Sequence, residues 1–216
     1  IISLFCSSKN NLTVGSVDNN NIVPTYSAYG PVRDGRIKPD LVTLGSPNIN
    51  TKDIDDYSGG GVGTSEATSN ASGCAALIYE RYKQIFNVWP KSTLVKGLLM
   101  NSTDDIENTG PDYRSGYGSI NMYKTIQNLN STNFIRGTIS TGQTLSYTFP
   151  TSSSGITSKI MLIWQDLEAT AGAAPALVRD LDLLVWNGTT IVGRPSILNP
   201  AIPANSAITG ADHLNN

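Results

Sequence analysis

Two periodicities divide this chain of 216 residues. In its first part, short apolar runs alternate with segments whose apolar residues recur every three or four positions. Leu12, Val14 and Val17 belong to one such run and predict a buried parallel strand. Ala67, Ala71, Cys74, Ala75 and Ile78 recur at helical spacing and predict a helix that opens near Ser65. Most of these side chains are small, and Gly73 narrows the gap further, so the helix is expected to pack close to a sheet. Pro90 stops the pattern. Ser92, Leu94, Val95, Leu98 and Leu99 then read as a second helix with one apolar face.

Near residue 127 the period changes. Residues 127–133 are polar and read as a linker. Leu145, Tyr147 and Phe149 alternate with polar neighbours, as in a half-buried strand. Residues 159–164 are apolar on both faces, as expected of a central strand. Leu181, Leu183 and Val185 alternate with Asp182, Leu184 and Trp186. Asn187-Gly188 supplies a hairpin turn before the run at 189–192. Short strands at this spacing suggest a β-sandwich.

The chemistry concentrates in Gly63-Thr64-Ser65-Glu66-Ala67-Thr68. This stretch passes from a glycine-rich loop (Gly59, Gly60, Gly61, Gly63) into the first predicted helix and places a hydroxyl at its start. Backbone N–H groups there lack partners and carry partial positive charge. They would stabilise negative charge developing beside Ser65 in acyl transfer. The plain alternative is that Thr64 or Ser65 caps the helix. A nucleophile elbow, G-x-S-x-G, fits with Ala67 in its last place, and Ser65, Asp180 or Asp182, and His213 follow in its chain order. An elbow also needs a buried apolar strand before the serine. The segment Asp53-Ile54-Asp55-Asp56-Tyr57-Ser58-Gly59-Gly60-Gly61 is instead polar and glycine-rich, as in a loop.

A loop-to-helix nucleophile fits better, and here the sequence resembles the subtilisin-like serine peptidases, or subtilases. Their serine lies in G-T-S-M-A-[TA]-P-x-x-x-G, and the residues from Gly63 to Thr68, with Gly73, match it. Leu12-Thr13-Val14-Gly15-Ser16-Val17-Asp18 looks like the family's I-T-V-G-A-V strand, and Tyr26-Ser27-Ala28-Tyr29-Gly30-Pro31 like its F-S-S-Y-G-P. Asp34-Gly35-Arg36-Ile37-Lys38-Pro39-Asp40-Leu41-Val42 follows D-G-R-I-K-P-D-[VI]-V, and Gly116-Tyr117-Gly118-Ser119-Ile120-Asn121 follows G-x-G-x-[VI]-N. Ser69 and Asn70 depart from the motif after Thr68, and Glu66 stands where an apolar or small residue is common.

The resemblance implies an α/β fold over residues 1–127: the C-terminal half of a subtilisin-like three-layer parallel-sheet domain. It implies Ser65 as catalytic nucleophile, with Gly63 and Thr64 at the oxyanion and substrate-binding position. The substrate would be a peptide or protein. The family's triad runs Asp, His, Ser along the chain, and neither the Asp nor the His motif precedes Ser65. The one histidine, His213, follows it, and no upstream oxyanion Asn is visible. The expectation is therefore a piece of a longer protease, inactive alone because Ser65 has no base.

Residues 134–216 resemble the jelly-roll-like domain that follows the catalytic domain in some larger bacterial subtilases. Ile163-Trp164-Gln165-Asp166, Leu177-Val178-Arg179-Asp180-Leu181-Asp182-Leu183 and Gly210-Ala211-Asp212-His213-Leu214-Asn215-Asn216 carry this second likeness. The expectation is an incomplete all-β sandwich. Asp166, Asp180 and Asp182 invite either a structural Ca2+ or turn hydrogen bonds, and no cofactor is expected for catalysis. His213 reads as a loop residue bonded locally.

Composition narrows the field. A net charge of −2 gives no basic footprint for nucleic acid, and no apolar run approaches the length of a membrane span. Cys6 and Cys74 look like buried small residues rather than a disulfide framework. Low charge with plentiful Gly, Asn, Ser and Thr suits a secreted, extracellular protein, and the resemblance to larger bacterial subtilases implies a bacterial one. The rival reading is a non-catalytic secreted binding module with a vestigial peptidase segment.

Overall fold

The first apolar run forms β1 (Val14–Asp18), and the D-G-R-I-K-P-D segment delivers the chain into β2 (Leu41–Ser46). The computed structural model that shows this describes residues 2–46, 48–53, 56–149 and 158–216, with 48–53 as backbone only. β1 and β2 pair in parallel, with Val14 opposite Leu41 and Val17 opposite Leu44. Leu41 and Val42 are fully buried, as expected of strands covered on both faces. Gly15 lies where a β-carbon would stand 2.9 Å from Val42 Cγ1. On the other side of β2, Val42 N–H donates to Gly118 O at 3.0 Å and Ile120 N–H donates to Val42 O at 3.0 Å. Gly118 has φ +115, and a β-carbon there would stand 2.2 Å from Asp104 O, so the position requires glycine.

Asn48–Asp53 and Asp56–Gly61 form an antiparallel ribbon, β3–β4. The stretch read as a loop before Ser65 is therefore strand from Asp56 onward, while residues 54 and 55 lie outside the described set. Residues 56–60 are exposed, so polar side chains suit the ribbon and it is no core strand.

The predicted helix is α1 (Thr64–Phe86). It buries Ala67, Ala71, Ile78 and Tyr82, a spacing of four, seven and four that keeps one face on the sheet. It ends at Asn87 in the left-handed region (φ 55), whose N–H bonds Lys83 O. α2 (Ser92–Asn101) and α3 (Met122–Asn130) complete the first layer. Their Val95, Leu98, Leu99 and Leu129 meet Leu41, Ile78 and Tyr82 in one core. Each such side chain contributes about 1.5–3 kcal/mol by burial. Asn121 caps α3 by accepting from Lys124 N–H. α3 runs through residues 127–130 of the expected linker, because Leu129 is fully buried in the core and Asn128 donates to Ser102 Oγ. No helix among the described residues is long and apolar enough to cross a membrane.

After residue 133 the described residues form two ribbons, β5 (Val185–Asn187) with β6 (Thr190–Gly193) and β7 (Ser196–Ile197) with β8 (Ile208–Thr209). No sandwich is formed among them. Leu145, Tyr147 and Phe149 are each exposed and carry no ladder, since no second apolar layer faces them. The hairpin turn lies one residue later than expected: Asn187 pairs with Thr190. Gly188 at φ +60 then takes the first central position, where a II′ turn wants glycine.

The expected strand at 159–164 instead packs on the first part. Met161 and Ile163 touch its core. Ile163 comes so close to α2 that a β-carbon on Gly97 would stand 2.8 Å from it. Lys159 Nζ donates to Thr103 Oγ1 (2.9 Å) and to Met100 O (3.2 Å) at the end of α2, where a cation suits the helix dipole. Lys9 Nζ bonds Asp166 Oδ2 at 2.6 Å with both side chains buried. Asn10 and Asp166 exchange further bonds: Asn10 Nδ2 donates to Asp166 O and Asp166 N–H donates to Asn10 Oδ1.

Beneath this junction Asp40 bridges two buried lysines, Lys38 at 2.7 Å and Lys96 at 3.1 Å. Burial lowers Lys38 to about 8; Asp40 opposes the shift, and the charges of Lys96 and Arg36 add to it. The unfolded chain keeps this proton up to the ordinary value of 10.5, so between about 8 and 10.5 it binds more protons than the fold. Stability from this group is therefore lowest below pH 8 and rises across that window. In urea unfolding of the 216-residue chain, Lys38→Met should remove up to about 1.4 kcal/mol per pH unit of that upward slope. Equal slopes in the two proteins would contradict it.

Candidate active site

Ser65 is the second residue of α1, exposed at the helix's first turn. Among the described residues its hydroxyl has no hydrogen-bond partner, while its carbonyl accepts from Ser69 Oγ at 3.1 Å. Thr64 likewise accepts at its carbonyl, from Thr68 Oγ1 at 2.8 Å. Neither hydroxyl caps the helix. The cap is Gly63, with extended backbone (φ 160, ψ 170) and no side chain to offer. The first bond of the helix ladder runs from Ala67 N–H to Gly63 O at 3.4 Å. The N–H groups of Thr64, Ser65 and Glu66 precede it, so they have no carbonyl four residues back to bond.

Gly63 is held by the end of β2. Its N–H donates to Gly45 O at 2.9 Å. A β-carbon on Gly45 would stand 2.1 Å from Ser16 Oγ and 2.6 Å from Gly63 O, so only glycine permits the approach. Asn70 adds a second tie, donating from Nδ2 to Leu44 O at 2.7 Å. The helix start therefore stands at the carboxyl end of the parallel pair, the end where open α/β sheets bind ligands. Neither tie was read from the sequence. Gly45 offered one signal, a glycine closing an apolar run. Asn70 entered only as a departure from a motif.

His213 stands elsewhere. Its Nδ1 is 2.6 Å from Asp180 Oδ2, both partly exposed. The hydrogen bond that the ring donates to Asp180, and that carboxylate's charge, raise the imidazole above its ordinary value, with smaller help from Asp182 and Asp212. The neighbouring Leu214 side chain lies 3.3 Å from where a β-carbon on Gly35 would be, and Asn215 accepts from Ile37 N–H. These contacts fix the His213 loop near the amino end of β2, while Ser65 sits at its carboxyl end. Six strand residues separate the two ends by about 20 Å. The order Ser65, Asp180, His213 therefore makes no triad in this fold.

Two of the three aspartates considered for calcium, Asp166 and Asp180, are engaged separately. Asp166 Oδ2 accepts from Lys9 and from Val178 N–H, and its Oδ1 accepts from Arg179 N–H. Its carboxyl is lowered overall, the bonds from Lys9 and the two amides outweighing burial, which is the largest single influence and acts upward. Asp180 serves His213. Among the described residues no three His, Cys, Asp or Glu side chains gather as a metal site would require. Cys6 and Cys74 are free and half-buried rather than buried. Burial pushes the Cys74 thiol up, away from thiolate reactivity.

Comparison with known proteins agrees with the first part of the chain. Residues 2–118 match the model of the Subtilase family. The chain is 27% identical over 208 residues to the Dictyostelium discoideum protein called serine protease/ABC transporter B family protein tagA, covering 79% of this chain and 12% of that protein. It is 25% identical over 242 residues to tagD of the same organism, covering 78% and 13%. The chain thus spans about an eighth of the length of these relatives. Among solved structures it is similar to the Clostridium perfringens CspB protease, 28% identical, TM-score 0.48, covering 55% of this chain and 26% of that one. It is also similar to the prenylagaramide maturation protease PagA, 25% identical, TM-score 0.49, covering 58% and 45%.

The contact at Gly45 can be tested directly. Gly45→Ala should destabilise the chain by about 1–3 kcal/mol through overpacking. Gly59→Ala, with nothing within 4 Å of its β-carbon, should stay within about 0.5 kcal/mol. Urea unfolding of both variants measures the contrast.

Proposed function

Because the chain belongs to the subtilase family, we propose that it is part of a serine endopeptidase whose nucleophile is Ser65. The observation that carries the reading is an unbonded hydroxyl in the first turn of α1, at the carboxyl end of β1 and β2. In the parent, Ser65 Oγ attacks the substrate carbonyl carbon while a histidine from another part of the chain takes the hydroxyl proton. The Ser65 N–H, with Thr64 and Gly63 shaping the approach, receives the oxyanion. The C–N bond then breaks as the histidine returns that proton to the leaving amine. Water hydrolyses the ester by the same steps in reverse, and an aspartate orients the histidine.

The one histidine of the 216 residues, His213, is bonded to Asp180 away from Ser65, so in this reading they are inactive alone. The exposed side of α1 supports their being a piece of a larger domain. Ser65, Ser69, Ser72, Gly73, Ala76 and Leu77 are all exposed. No charged residue occurs between Glu66 and Glu80, whereas a helix written for solvent carries charges on its outer face. Residues 134–216 would likewise complete an all-β sandwich in the parent. Export from the cell belongs to the same proposal, on the low charge and the polar, small-residue composition. The rival is a non-catalytic module in which the Ser65 turn is vestigial.

A fluorophosphonate probe separates the two readings. The parent should label at Ser65, Ser65→Ala should not label, and the isolated chain should label negligibly. An unlabelled but folded parent would favour the binding module, and full labelling of the isolated chain would refute the missing-base argument. Gly73 tests the uncovered face. Nothing lies within 4 Å of its would-be β-carbon, so Gly73→Ala should stabilise the isolated chain by about 0.5–1 kcal/mol. In the parent, where a second layer packs on that face, the same change should destabilise. Equal stabilisation in both would count against the covering layer.

A further inference from the structure

Glu66 is the third residue of α1, the position from which a glutamate closes a capping box by accepting the N-cap N–H. It does turn back. Its Oε2 lies 3.0 Å from the point where a β-carbon on Gly63 would stand, and Ser65 N lies 3.9 Å from the same point. The box cannot close, because Gly63 N–H is already donated to Gly45 O at 2.9 Å. Among the described residues Glu66 has no hydrogen bond and no ion pair. A half-buried carboxylate thus lies within about 7 Å of Ser65 N with no ion-pair partner among the described residues.

Such a charge opposes an oxyanion formed at that N–H. A cation brought in by the substrate offsets the opposition and gains a partner in a partly desolvated place. We propose that Glu66 makes the Ser65 site selective for peptides carrying Lys or Arg beside the scissile bond, an inference that rests on Ser65 being the nucleophile. Glu66 lies on the Gly63 side of the helix start, and no hydrogen bond among the described residues withdraws its carboxylate from the substrate.

The test uses the full-length parent and a peptide series differing only in the residues flanking the scissile bond. Wild type should cleave Lys- or Arg-flanked peptides about tenfold faster in kcat/KM than Glu-flanked ones, and added salt should shrink the difference. Glu66→Gln should erase the preference and Glu66→Lys should reverse it, with fluorophosphonate labelling of Ser65 showing that each variant keeps its site. A labelled Glu66→Gln enzyme with the wild-type preference would overturn the proposal while leaving Ser65 as nucleophile. Cleavage that survives Ser65→Ala would overturn both.

Discussion

The hydrogen bond from Gly63 N–H to Gly45 O determines where the chemistry of this chain can happen. It joins the last turn of the approach to α1 to the last residues of β2, through a gap that no β-carbon could enter. Everything proposed for Ser65 depends on this contact. It sets the helix dipole at the carboxyl end of the parallel strands and points the unbonded N–H groups of Thr64, Ser65 and Glu66 outward. It also occupies the Gly63 N–H, the donor that a capping box with Glu66 would use. A single backbone bond therefore fixes where the proposed nucleophile, Ser65, stands.

The opposite end of β2 is held by different means. There Asp40 stands between Lys38 and Lys96, and Lys9 reaches across to Asp166. Buried ion pairs are costly to desolvate and costlier to break on one side, so they fix geometry more than they add stability. Lys159 at the end of α2 and Ile163 against Gly97 extend the same contact. Of the aspartates that looked like metal ligands, Asp166 joins the second part to the first through Lys9. Asp166 in particular spends both oxygens on Lys9 and on two backbone amides.

Strand β1, helices α1 and α2 and the place of Ser65 at a helix start are legible because periodicity and end signals agree. Pro39 precedes β2, Pro90 follows α1, and the apolar faces of α1 and α2 are those buried. What escaped was tertiary. Residues 127–130 looked like a linker because polarity was averaged along the chain, while the single inward Leu129 decided the helix. The ribbon β3–β4 looked like a loop because its strands are polar and glycine-rich; their pairing, not their burial, makes them strands. The alternation at 145–149 was real in sequence, but a strand needs a neighbour to bond, and none of the described residues supplies one. Gly45 and Asn70 were unreadable in role, since a close approach between distant segments leaves only an isolated glycine or amide in the sequence.

The two sides of α1 bring these points together. One side is an ordinary core face, with Ile78 and Tyr82 fully buried. The other carries Ser69, Ser72, Gly73 and Ala76, a surface without charge and nearly without relief. Small side chains on a helix let another backbone come close, and they contribute little to solubility. Selection for solvent exposure alone would have placed lysines and glutamates there, as it did from Glu80 onward, where Glu80, Arg81, Lys83 and Gln84 occur in five residues. The change in character along one continuous helix would mark the boundary of the region covered in the proposed parent. Ser65 lies at the far end of the uncharged stretch, so in the proposed parent the layer covering this face of α1 is also the one placed to bring a base to its hydroxyl.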